Sequence, residues 1–351
     1  MADPPRVVGL SKTPPRMMRL SLLGWLLMVI LGCQRPLSVD TGPDWQLYKQ
    51  RFLEADGRIK DTGNANVSHS EGQGYGLLLA LVHDDRDSFA RIWRWTHVNL
   101  QVRTDKLLMW RRQPGVELAQ EDPNNATDGD LLIAWALLEA AERWQMPNYR
   151  TEAMAIVADI KRKLISTWQD QRILLPGEVG FVNDNGVTVN PSYWVFPALK
   201  AIAAADDDAV WPALIASGKT LVHQARFGHW QLPPDWLLLA ADGSQQPAKT
   251  ARFGYDAIRL PLYWLMAGND SAVLDNFRRY WAHYQPFTPS WIALNEHVMD
   301  AWGGNVGIIA VKSLVMDEDS GLPMLDVQTD YYAASLLLLS KVVFHQGHLL
   351  P

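Results

Sequence analysis

Cysteine is almost missing from this chain: Cys33 is the only one in 351 residues. A lone thiol closes no internal disulfide, so packing has to supply the stability of the fold. The nine histidines form no HExxH pair and no Cys/His grouping, which excludes the common zinc sites. No GxSxG elbow is present, and Gly72-x-Gly74-x-Gly76 has the wrong spacing for a dinucleotide loop and follows no strand. Basic residues are outnumbered 32 to 38 by acidic ones, for a formal charge of −6, and no basic stripe alternates with aromatics. A nucleic acid is therefore excluded as the main partner. Beyond residue 35 there is no low-complexity block, no linker-like charge run and no short repeat.

What the chain does have is apolar bulk and tryptophan. Hydrophobic residues make up 48% of it, enough for one large core, and 16 tryptophans and 10 tyrosines stand out. Most must be core, although aromatic faces beside acidic groups also suit the C–H faces of sugar rings. Near the start, Arg16 and Arg19 precede an apolar run from Leu20 to Leu31 that ends in Ile30-Leu31-Gly32-Cys33. This pattern reads as a secretory signal, too short for a firm membrane span. Its Leu-Gly-Cys ending resembles a bacterial lipobox, with Cys33 as the lipidated first residue of a mature outer-membrane or periplasmic protein. Residues 1–15 are long for the basic region of a signal, which points to initiation at Met17 or Met18. The organisation expected is a signal segment over 1–33 and one catalytic domain over 34–351.

Helical periodicity dominates the remainder. The run Leu131–Ala141 is apolar nearly all round, as a helix between two layers is. Helices are also predicted over 45–52, 76–82, 88–100, 150–168, 193–204, 211–226, 257–266, 271–284 and 329–343, and short strands at 172–175 and 187–189. About a dozen helices with chemistry in the loops imply a single all-α domain.

Three helix starts carry carboxylates. Ser70-Glu71-Gly72-Gln73-Gly74-Tyr75-Gly76 places Glu71 where a loop enters an apolar helix, and its glycines leave room for a close approach. A carboxyl group in such a place sheds solvent, which raises its pKa toward that of a general acid; a plain acidic first turn is the simpler reading of the tripeptide alone. Asn124-Asn125-Ala126-Thr127-Asp128-Gly129-Asp130 precedes the Leu131 run, where Thr127 or Asp128 would serve as an N-cap. In Gly254-Tyr255-Asp256-Ala257-Ile258-Arg259 the acid and the arginine stand three apart, as a structural ion pair or as a base kept ionised by its neighbour. Glycoside hydrolysis needs two carboxyl groups in opposite protonation states. Glu71 and Asp256 make a reasonable pair, with Asp128 as a third charge.

Taken together, SEGQGYG, ATDGD leading into IAWALLEA, NPSYW at 190–194 and GYDAIR resemble glycoside hydrolase family 8, most of all the periplasmic endo-β-1,4-glucanases encoded beside bacterial cellulose synthases. The resemblance covers most of residues 44–340. It implies an (α/α)6 barrel with its cleft across one end and an inverting mechanism without cofactor. It assigns Glu71 as general acid and Asp256 as general base, with their carboxyls roughly 6.5–9.5 Å apart. Asp128 would bind and distort the sugar, and Tyr193 and Arg259 would position the attacking water and the base. Trp110 falls in an aromatic segment of the family and is expected to stack on sugar. Trp93, Trp95, Trp135 and Trp264 are expected in the core, and Tyr331 and Tyr332 at the cleft wall or in the core. The implied partner is a β-1,4-glucan, with the cellulose synthase complex as a further one and a membrane only through the N-terminal lipid. Other family substrates (xylan, chitosan, mixed-linkage glucan), an idle glycan-binding accessory and an all-α lyase are the alternatives; no surplus of acids supports chitosan, and the acidic triad would repel a lyase's uronates.

Overall fold

The computed structural model describes residues 42–296, 298–318 and 321–346. The signal segment and Cys33 lie outside them. Six helices form an inner ring: α2 (Ser70–Val82), α4 (Thr127–Arg143), α6 (Phe196–Ala205), α8 (Arg259–Met266), α10 (Val306–Met316) and α11 (Tyr331–Gln346). Each packs on the next, and α11 closes back onto α2. Five more lie outside them: α1 (Gly42–Phe52), α3 (Arg86–Asn99), α5 (Pro147–Lys163), α7 (Val210–Gln224) and α9 (Asp275–Tyr284). The link between α10 and α11, residues 317–330, contains no helix among its described residues. The fold is the all-α (α/α)6 barrel, with eleven helices among the described residues.

The two layers differ in their chemistry. In α2 every residue but Glu71 is buried, and α4 is buried from Thr127 through Leu138, so neither has a wet side. An apolar surface all round is what an element wrapped on every side requires. The outer α3 buries Phe89, Ile92, Trp93 and Thr96 on one stripe, and Asp85 caps it by accepting the Ser88 N–H at 3.0 Å. In α5, Pro147 opens the first turn, where its missing N–H costs nothing, and Lys161, Arg162 and Lys163 close the last, matching the negative end of the dipole.

Strands occur only as short trim. Pairs β1 (Ser68–His69) with β2 (Arg111–Arg112) and β3 (Ile165–Trp168) with β4 (Gln171–Leu174) are antiparallel. A four-stranded sheet follows, in the order β5 (Val182–Asn183), β6 (Gly186–Val189), β7 (Leu237–Ala240), β8 (Gln245–Pro247). Finally β9 (Arg252–Phe253) pairs with β10 (Ile292–Ala293). The expected strands at 172–175 and 187–189 correspond to β4 and β6. The helix predicted over 150–168 ends instead at Lys163, where the chain turns into β3. Sequence reading also misses α10, whose Val-Gly-Ile-Ile-Ala-Val start favours a strand by propensity. Burial in the ring overrides that preference, and Asn305 caps the helix by accepting the Ile308 N–H at 3.1 Å. Trp93, Trp95, Trp135 and Trp264 are in the core as expected.

Candidate active site

The glycines of SEGQGYG do admit close approach, but what approaches is the protein itself. A Cβ on Gly72 would meet the Tyr331 hydroxyl at 2.5 Å, one on Gly74 the Leu132 Cβ at 2.6 Å, and one on Gly76 Ile59 at 2.9 Å. Gly129 of α4 faces Ser70 and the Glu71 N–H in the same way. The Gly74 and Gly129 contacts clamp the starts of α2 and α4 together and so fix Glu71 beside Asp128, while the Gly72 contact seats α11 against α2. The expectation of open space at these glycines is corrected accordingly. Neither helix start is capped by a side chain: the cap positions are His69 and Ala126, and Asp128 accepts instead from the Gly129 N–H at 2.8 Å.

The third helix start supplies the cation. Arg259, the first residue of α8, is 3% exposed, and its guanidinium is shared among three carboxylates. Nη1 donates to Glu71 Oε1 and, at 2.9 Å, to Asp128 Oδ2; Nη2 donates to Asp256 Oδ1 at 2.6 Å. Three inner helices therefore aim their N-termini at one acidic cluster, and the positive ends of their dipoles favour its negative charge. Among the described residues no group of three His, Cys, Asp or Glu side chains is placed to hold a metal ion. In this cluster the guanidinium is the balancing cation.

Burial and charge oppose each other here. Burial pushes the Asp128 carboxyl up to about 7, Arg259 pulls it down, and Glu71 adds to the rise. Asp256 is also raised, first by burial, against the opposing pull of Arg259. Of the two readings of the Asp256–Arg259 pair, the ion pair is present; Arg259 does lower the Asp256 pKa as the second reading requires, but loss of solvent outweighs that pull. With side-chain exposures of 30% and 17%, Asp256 and Glu71 keep an open side, whereas Asp128 at 3% has almost none.

Residues that sequence reasoning did not single out complete the site. The Tyr75 hydroxyl donates to Glu71 Oε1 at 2.9 Å and lies 2.6 Å from that of Tyr263, and both tyrosines are buried. Trp236 Nε1 donates to Asp256 Oδ2 at 3.1 Å, and its ring stacks on Phe181 at 5.9 Å. Asp235, 1% exposed, accepts from the N–H groups of Gly254, Asp256 and Ala257 and from Arg252 Nε. The only sequence signal for this pair is a Pro-Pro-Asp-Trp turn at 233–236.

The other expected site residues adjoin the cluster. The Arg259 guanidinium lies 5.5 Å from the centre of the Tyr193 ring, which is tilted against Trp236 at 5.9 Å. Trp110 ends the segment that leads into β2, and its carbonyl accepts the Ser70 N–H at 3.0 Å, one residue from Glu71. Its ring is stacked on His69, has Arg111 at 4.6 Å, and donates from Nε1 to Asp122. Tyr331 is buried against Gly72, and Tyr332 donates its hydroxyl to the Tyr255 carbonyl beside Asp256.

The sequence model for Glycosyl hydrolases family 8 matches residues 17–346. The chain belongs to this family. An endoglucanase from Cellulomonas uda is 40% identical to this family 8 chain over 277 residues, 78% of this chain and 77% of its own length. A probable endoglucanase from Novacetimonas hansenii is 40% identical over 314 residues, 86% of this chain and 91% of its own. The crystal structure of the endo-β-1,4-glucanase CMCax from Acetobacter xylinum superposes with a TM-score of 0.83 at 39% identity, covering 87% of this chain and 98% of that one.

Proposed function

We propose that this family 8 protein is an inverting endo-β-1,4-glucanase. The observation that carries the proposal is the single guanidinium of Arg259 tying Glu71, Asp128 and Asp256 together where three inner helices begin. Family membership and relatives named endoglucanase support the substrate class. In the proposed reaction Glu71 gives its proton to the glycosidic oxygen as the bond from the anomeric carbon breaks. Asp256 takes a proton from the water that attacks that carbon from the opposite face, and the product has inverted configuration. Arg259 and Tyr193 orient the base and the water, and Asp128 holds the sugar at the point of cleavage.

Trp110 serves in this reading as a sugar platform beside the acid. The N-terminal pattern ending at Cys33 supports export and lipidation, and the resemblance to endoglucanases encoded beside cellulose synthases supports work in the periplasm on nascent cellulose. The reaction is tested by reducing-end release and viscosity loss on carboxymethylcellulose, with xylan and chitosan alongside. A fast viscosity drop on the cellulose derivative, abolished in Glu71→Gln and in Asp256→Asn, is the expected result. Cleavage confined to xylan or chitosan overturns the substrate, and binding without cleavage of any glycan overturns the enzyme. Labelling of Cys33 by a radioactive fatty acid, lost in Cys33→Ser, tests the anchor.

A further inference from the structure

A second cavity, of about 380 Å³, lies apart from the acidic cluster and shares none of its residues. Its volume falls in the range of small-ligand sites, about 300–1,000 Å³. Trp230 and Tyr284 form its aromatic wall, with ring centres 5.8 Å apart, and His229 meets Trp230 edge-on at 4.7 Å. Asn295, Glu296 and Met299, all three exposed, line it from the loop that follows β10.

That loop is stapled in place. Asp300 N–H donates to the Trp291 carbonyl at 3.1 Å, Ser290 Oγ donates to the Gly303 carbonyl at 2.7 Å, and the Ala293 N–H bonds the Val298 carbonyl at 2.8 Å. It also carries Trp302, which is 94% exposed and stands outside the cavity lining. An indole left so bare on a fixed loop forgoes the burial its surface would gain inside the core.

We infer that this cavity and its loop form a second saccharide-binding site that takes a β-1,4-linked glucan segment. The inference rests on the glucanase reading above. Ring faces to stack on pyranose C–H surfaces, together with an amide and a carboxylate for their hydroxyls, are the donor and acceptor set a neutral sugar needs. No lysine or arginine is among the lining residues, so no permanent positive charge favours an anionic ligand. Position supports the same occupant. The lining residues Ile292 and Ala293 pair with β9, and β9 runs directly into Gly254, Tyr255 and Asp256. Asp256 is thus three residues along the chain from Phe253, the strand partner of the lining residue Ile292. At no more than about 3.8 Å per residue, that separation is short against a polymer cut in the cleft, so one chain can occupy both places, which raises its effective concentration at the acids.

The test counts binding sites for cellohexaose by calorimetry on the full chain carrying Asp256→Asn. Two sites are expected. Adding Glu296→Ala and Trp302→Ala, both at exposed positions where folding does not depend on the side chain, should remove one site and leave the other within about twofold. In the otherwise unsubstituted enzyme the same two changes should leave cellotetraose hydrolysis unchanged and slow hydrolysis of long amorphous glucan severalfold. A single site, or a second site untouched by these changes and by Trp230→Ala, overturns the inference. Hydrolysis of carboxymethylcellulose by the unsubstituted protein is measured in parallel, so a missing second site with hydrolysis intact sinks this inference alone.

Discussion

Asp235 grips Asp256 by its backbone: one carboxylate oxygen accepts the Asp256 N–H at 3.2 Å together with those of Gly254 at 3.0 Å and Ala257 at 2.9 Å. The turn that presents the proposed base is therefore wound around a buried anion, and Arg252 balances that anion from the other side at 2.8 Å. Asp235→Ala strips three N–H groups of their acceptor at once. Unfolding in urea should show a loss of about 2–4 kcal/mol, since each buried donor left unpaired costs about 1–3 kcal/mol and water reaches part of the turn. Turnover should fall at least tenfold with KM little changed, because the turn holds Asp256 and not the sugar. Unchanged turnover in a folded variant would remove Asp235 from this role.

Arg259 is the only cation hydrogen-bonded to Glu71, Asp128 and Asp256 among the described residues. Arg259→Met leaves those acids without it, and kcat should fall by about 10²–10³. The stability cost should depend on pH in a definite direction. Arg259 favours the ionised acids, and Asp128 is ionised in the folded state only above about 7. The deficit of the variant should thus be largest near pH 8 and shrink as the pH falls through 7 toward 5. Denaturant unfolding at pH 5, 7 and 8 measures it, and a deficit that grows on acidification contradicts the assignment.

The fold and three of the acids were legible before any coordinates because their signals are local. All-apolar helices such as Leu131–Ala141 announce an inner layer, and Glu71, Asp128 and Asp256 stand beside glycines at helix starts. The residues around them were not legible, since Tyr75, Tyr263, Trp236 and Asp235 look like any buried aromatic or turn aspartate until the ring closes. Tyr75 and Tyr263 are 188 positions apart yet share a hydrogen bond. The balance of effects on Asp256 was also out of reach, because spacing discloses the Arg259 pull but not the loss of solvent that exceeds it. Helix α10 was lost to its β-branched sequence, which only ring burial overrules.

Gly129 is where packing and chemistry meet. A methyl group there would lie 2.1 Å from Ser70 Oγ and 2.8 Å from the Glu71 N–H. Since the second of these is backbone, a rotamer change cannot relieve it, and α4 must shift from α2. Gly129→Ala should cost about 1–3 kcal/mol in unfolding experiments and slow turnover by one to two orders of magnitude by moving Asp128 away from Glu71. Stability loss with full activity would mean that the cluster tolerates the shift.

Trp236 offers a way to read the base directly. Its indole N–H donates to Asp256 Oδ2 and so favours the carboxylate. In Trp236→Phe the ring and its stack on Phe181 survive while that donor is lost, so the already raised Asp256 rises further. The acid limb of the kcat/KM profile should move to higher pH, with the alkaline limb in place. Equal loss at every pH would assign Trp236 to sugar contact alone.

Asp130 gives a second pH signature, separate from catalysis. It is fully buried two residues beyond Asp128, and it accepts the Leu108 N–H at 2.8 Å and the Asn125 amide at 2.7 Å, pinning the chain on either side of Trp110 to α4. Burial pushes its carboxyl from the usual 3.8 of an aspartate up to about 7. A folded-state pKa above the unfolded one means that the native chain holds a proton the unfolded chain has released between those values. The stabilisation is complete below pH 3.8 and disappears as the pH rises through 7. In Asp130→Asn this titration is absent. The stability of the unsubstituted protein relative to the variant should therefore decline from pH 5 to pH 8 by a few kcal/mol, given about 1.4 kcal/mol per pKa unit. Urea unfolding of both proteins across that interval decides the matter: a difference that stays flat, or rises with pH, would mean that Asp130 is ionised in the folded core and held there by its two donors.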